Sequence, residues 1–148
     1  MPATKTKANI WTDEERAAML ASATERKKSA KLSPAEERAA GEAEVRAKLS
    51  GMPADDRRMG ERIHELVTKA VPSLNPKTYY GMPAYAKDGK VICFYKPKSK
   101  FKVRYSTFEF QADAHLDDGE LWPVSWAVTA LTPKTEAQIV ALVKKAAS

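Results

Sequence analysis

Cysteine is all but missing: Cys93 is the only one in 148 residues, so the chain can close no internal disulfide and can build no cysteine-based zinc site by itself. Histidine is as sparse, and the two, His64 and His115, are far apart in sequence. With one cysteine beside them, no nucleophile–base–acid triad can be drawn from spacing. Nothing Gly-rich resembles a phosphate-cradling loop. No apolar run approaches the roughly 18–20 residues that cross a bilayer. The basic start from Met1 to Lys7 leads into no apolar stretch of the kind a secretory signal needs. These absences predict a cytoplasmic protein with no membrane segment and no catalytic motif, a binding protein rather than an enzyme.

Charge is plentiful but unevenly placed. Charged residues make up 30% of the chain and leave a net +6, which suits either an anionic partner or a surface kept soluble by like charge. Before Met52 the sequence is charged and alanine-rich, with Trp11 its sole aromatic. Thr12-Asp13-Glu14-Glu15 matches a capping box and predicts a helix from about Asp13 to Lys28. Ser33-Pro34-Ala35-Glu36 repeats the signal for a helix reaching about Leu49. Only Trp11, Met19, Leu20, Leu32, Val45 and Leu49 enlarge the alanine stripes of these helices, too little for a core of their own. Residues 1–50 therefore read as a helical extension, disordered over Met1–Ile10, whose removal leaves the rest folded. Ser50-Gly51-Met52-Pro53 then opens a domain over 51–148.

From Ala54 to Val71, the residues Met59, Ile63, Leu66, Val67 and Ala70 recur on one helical face. His64 lies off that face and is expected to be exposed. The period then changes. Thr78–Tyr80, Ala84–Lys87, Lys90–Tyr95, Phe101–Phe108 and Trp122–Val128 are aromatic and β-branched segments punctuated by Gly-Met-Pro, Asp-Gly and Asp-Asp-Gly turns. Val91-Ile92-Cys93-Phe94-Tyr95 is apolar on both faces and predicts a central strand, with Cys93 a buried, inert thiol. Thr132-Pro133 starts a last helix whose inner face is Ile139, Leu142, Val143 and Ala146. The sum is an α+β fold, a small antiparallel sheet packed on helices.

Tyr80-Gly81-Met82-Pro83-Ala84-Tyr85, Asp88-Gly89-Lys90, and the run from Ala114 to Pro123 before a terminal amphipathic helix resemble the bacterial YdhG-like, or DUF1801, family. The likeness covers about Met52 to Ala147. It implies an antiparallel sheet on helices, and one described member implies a frataxin-like iron chaperone serving iron–sulfur cluster assembly. No iron-ligand motif carries over residue by residue, and frataxin-like carriers are acidic whereas this chain is basic.

Three constellations could carry chemistry. Asp113, His115, Asp117, Asp118 and Glu120 offer oxygen and imidazole ligands suited to Fe(II), or equally form a solvated turn. Lys96, Lys98, Lys100, Lys102 and Arg104, interleaved with Tyr95, Phe101 and Tyr105, could track the phosphates of a nucleic acid or hold an anionic small molecule. They could equally blunt a sheet edge. Tyr80, Met82, Tyr85, Trp122 and Trp126 could line a small-molecule pocket or simply fill the core.

Overall fold

Residues 11–29 and 32–148 are described by a computed structural model, so the expected lead over Met1–Ile10 lies outside the described residues. Two tight turns set the sheet. Tyr80 and Gly81 both take positive φ, 51° and 77°, as do Asp88 and Gly89 at 50° and 79°. That is what a two-residue type I′ hairpin requires, and its twist matches that of the strands it joins. The hairpins link β1 (Asn75–Tyr79), β2 (Met82–Lys87) and β3 (Lys90–Lys96). β4 (Ser106–Phe110) and β5 (Ser125–Val128) complete a five-stranded antiparallel meander in the order β1-β2-β3-β4-β5. β3 is central, as its two-sided apolarity predicts. Against β2, Tyr85 pairs with Cys93 but Ala86 pairs with Val91, so Ile92 is a bulged extra residue. The bulge turns both Ile92 and Cys93 into the main core.

That core lies between one sheet face and two helices, α3 (Ala54–Ala70) and α5 (Pro133–Ala147). Ile63 and Val67 of α3 and Ile139 and Val143 of α5 meet Tyr85, Cys93, Tyr95, Phe108 and Phe110 of the sheet. Each such apolar side chain, once buried, contributes about 1.5–3 kcal/mol. Arg62 of α3 donates through Nε and Nη2 to the Glu136 carboxylate of α5 at 2.9 and 2.8 Å, fixing the two helices side by side.

The two N-terminal helices form as their caps predict. Thr12 and Glu15 exchange capping-box hydrogen bonds at the head of α1 (Asp13–Ser29), and Ser33 caps α2 (Pro34–Ser50). α2 is built into the packing. Val45 and Leu49 are buried, and a Cβ on Gly41 would stand 1.9 Å from the Pro76 carbonyl oxygen, so only glycine lets α2 approach β1 this closely. Arg38 donates to Asn75 Oδ1 at 2.6 Å, and the Thr78 hydroxyl donates to Glu44 at 3.1 Å. α1 is attached more lightly. It crosses the second sheet face with Ala18 as its buried apolar residue, over a smaller cluster of Met82, Ala84 and Phe94 edged by Tyr79, Tyr80 and Phe101.

Two expected strands start late, Trp122–Val128 at Ser125 and Phe101–Phe108 at Ser106. Phe101–Phe108 begins with a single helical turn, α4 (Lys98–Phe101), set by Pro97 and closed by Lys102 in the left-handed region at φ 53°. Lys102 N–H returns to the Lys98 carbonyl, so the backbone turns away from the ladder and strand pairing begins only at Ser106. His64 also departs from expectation, for it is 4% exposed. α3 is covered on two sides. Asp56, Gly60 and His64, at i, i+4 and i+8, form a second buried stripe that an apolar-only periodicity cannot register.

Candidate binding face and the buried histidine

Among the described residues, α1 covers the second sheet face at the β1–β3 end. Beyond α1, a trough begins between Trp11, Met19, Tyr80, Met82, Phe94 and Phe101, with a volume of about 350 Å³. It shares Lys96 and Glu109 with an open depression of about 440 Å³ running on to Arg104, Tyr105, Thr107 and Ser125. The alternation of β3, β4 and β5 places these residues: what points away from the α3–α5 core must point here.

Lys96 lies where the two parts meet, and Arg104 lines the second of them. The Lys96 ammonium is 4.9 Å from the Phe101 ring centroid, and the Arg104 guanidinium is 5.0 Å from that of Tyr105. A ring face holds a cation in place without cancelling its charge. The two carboxylates of the trough are engaged locally: Glu109 accepts from the Thr107 hydroxyl at 2.7 Å, and Glu15 accepts from the Thr12 amide at 3.2 Å.

The rest of the expected basic stripe is dispersed by α4. Lys102 forms an ion pair with Glu14 of α1, which raises the lysine pKa and lowers that of the glutamate through their hydrogen bond. Lys100 is folded back toward Gly81 and partly buried; desolvation first, then repulsion from Lys48, lowers its pKa. Lys98 lines another cleft, with Asp55, Asp56 and Arg58, which adjoins the trough at Arg104 and Tyr105. Tyr95 is in the main core, its hydroxyl donating to the Asp56 carbonyl at 2.9 Å and its pKa pushed by burial to about 12.

The five expected pocket residues do not line one pocket. Tyr80 and Met82 face the trough, whereas Tyr85, Trp122 and Trp126 belong to the main core on the opposite face. Alternation along β2 sends Met82 and Tyr85 to opposite sides, since neighbouring strand residues point to opposite faces, and Trp126 of β5 packs on the Tyr85 side. Nor does the acidic run converge. Among the described residues, no three His, Cys, Asp or Glu side chains are grouped as a metal site would require. Asp113 pairs with Lys90 at 3.6 Å, His115 Nδ1 lies 2.6 Å from the Ser148 main-chain oxygen, and Asp117, Asp118 and Glu120 are exposed.

Histidine reappears where sequence reading did not place it. His64 Nδ1 lies 2.8 Å from the Tyr85 hydroxyl, and its Nε2 lies 2.9 Å from Glu42 Oε1. With Nε2–H donating to the carboxylate, Nδ1 accepts the tyrosine proton, and every member has a partner. Desolvation works to raise the Glu42 pKa, but His64 and Arg46 together hold it below its ordinary value. The geometry resembles a triad in form, yet Tyr85 is fully buried and its pKa is driven well up by desolvation, so no substrate reaches it. Cys93 beneath it is likewise buried, and desolvation suppresses its thiolate. These groups hold α2, α3 and β2 together.

Among the described residues, no helix is long and apolar enough to cross a membrane. No protein-family model, no curated protein and no solved structure matches this chain.

Proposed function

We propose that this protein is a non-enzymatic binding module that takes single-stranded nucleic acid along the trough on the second face of its sheet. The observation that carries this reading is the pair of ring-held cations, Lys96 over Phe101 and Arg104 over Tyr105, that line the same open depression. A nucleic-acid strand asks for cations to meet its phosphates and aromatic faces on which bases stack without sequence readout, and the lining of the trough includes both. Trp11, half exposed, and Tyr80 supply further rings at the α1 end. The net charge of +6 adds the long-range attraction. Iron handling, the function implied by the YdhG-like resemblance, has no convergent ligand set behind it among the described residues.

Stacking gives the test. Trp11→Ala and Tyr80→Ala should each weaken binding of a short labelled oligonucleotide by about 1–3 kcal/mol, the usual worth of one base on one ring. Unchanged affinity in both variants, with the fold intact by circular dichroism, would remove the trough as the binding site.

A further inference from the structure

The free edge of the sheet carries a second surface, independent of the trough. Among the described residues β5 has one neighbour, β4, and its other side is an edge. The Phe110 amide donates to the directly opposed Val124 carbonyl at 2.8 Å, which makes that a hydrogen-bonded pair. Such pairs alternate along an antiparallel ladder, so Phe108/Trp126 and Ser106/Val128 also bond across it. Ser125 and Ala127 must therefore aim their N–H and C=O groups outward. Natural edges are usually blunted by lysine, proline or a bulge. Ser125-Trp126-Ala127-Val128 has none of these.

Beside this edge runs an apolar groove of about 390 Å³ between β5 and α5, floored by Phe108, Trp126, Ile139 and Leu142. Among the described residues, the eleven that line it include no ionisable side chain, in a chain that is 30% charged. Depletion of charge around an aromatic centre is the composition of an interface core. Two large apolar side chains just before the strand are exposed as well, Leu121 at 91% and Val124 at 45%.

We propose that β5 pairs with β5 of a second copy of this chain about a two-fold axis through Trp126. The register is self-complementary. Outward-facing Ser125 and Ala127 then bond to the partner's Ala127 and Ser125, because antiparallel pairing about Trp126 sets these residues opposite each other. Val124 falls opposite the partner's Val128 on the face that carries α5, so its exposed side chain is covered at the mouth of the uncharged groove. The five-stranded sheet is doubled, and the two open faces run into one another.

Sedimentation velocity across a concentration series, with amide hydrogen exchange, tests this on the full chain. The wild type should sediment at twice the mass of one chain, with the Ser125 and Ala127 amides protected. Ala127→Pro removes an outward N–H that the single chain does not use, and Ala141→Arg sets a charge in the groove from an exposed helix position. Each should raise the dimer dissociation constant by about tenfold or more. A wild type that stays monomeric with those two amides fast overturns the proposal. So does a dimer that Ala141→Arg leaves intact, even should Ala127→Pro fail to fold.

Discussion

His64 Nε2 stands 2.9 Å from Glu42 Oε1, and this contact joins α3 to a helix that sequence reading had set outside the domain. Its other nitrogen holds the Tyr85 hydroxyl at 2.8 Å in the centre of the core. Replacing His64 by leucine leaves that hydroxyl buried without a partner, a loss of about 1–3 kcal/mol before any packing change. Tyr85→Phe removes the hydroxyl itself and should cost less. Urea denaturation of the two variants checks the order; a larger loss for Tyr85→Phe would mean that the hydrogen bond to His64 is not what stabilises this region.

The same network sets a response to acid. Glu42 has a folded-state pKa below its ordinary 4.5, so the folded protein takes up this proton less readily than the unfolded chain. Its contribution is complete above that ordinary value and disappears as the pH falls through the lowered one. Thermal melting of Glu42→Gln beside wild type should show the largest difference near neutrality and a narrowing gap in acid. A gap that widens as the pH falls would contradict the sign.

Glycine in a helix usually gives way to alanine with a gain of roughly 0.5–1 kcal/mol. Gly41 should reverse that rule, because its added Cβ would meet the Pro76 carbonyl at 1.9 Å, a backbone atom that cannot swing aside. Gly41→Ala is expected to destabilise by about 1–3 kcal/mol as an overpacked site. A neutral or stabilising effect in denaturant melts would show that α2 does not lie this close to β1.

Truncation separates the two N-terminal helices. Deleting residues 1–50 removes the buried Val45 and Leu49 together with the His64 partner Glu42, and should abolish cooperative unfolding. Deleting residues 1–29 removes Ala18 as the buried apolar contact of α1 and should leave a cooperative, less stable fold. Retained cooperativity after the longer deletion would restore the view that the whole segment is an extension.

What could be read in advance follows from where the signals are local. The capping box at Thr12, the Thr132-Pro133 helix start, the Asp88-Gly89 turn and the apolar run of β3 each state their structure within a few residues, and each is found. The α+β meander followed from them. Tertiary choices were out of reach. His64, Gly60 and Asp56 carry no apolar period, yet α2 covers the first two while Ser99 of α4 and Tyr95 of β3 cover the third; Tyr80 and Tyr85 read as one aromatic cluster until the hairpin put them on opposite faces. The basic stripe was visible as composition, but α4 decides that Lys96 and Arg104 share the trough while Lys102 is neutralised by Glu14.

The most direct test of the binding claim is fluorescence anisotropy of a labelled single-stranded oligonucleotide, titrated with wild type and with the Lys96→Glu/Arg104→Glu double variant over a range of salt. Each phosphate neutralised on a single strand contributes roughly 0.7 to the slope of log affinity against log salt, so the double variant should lose about 1.4 of slope and bind weakly at low salt. Wild-type binding that ignores salt, or a double variant that matches it at every salt concentration, would contradict the assignment of the trough to nucleic acid.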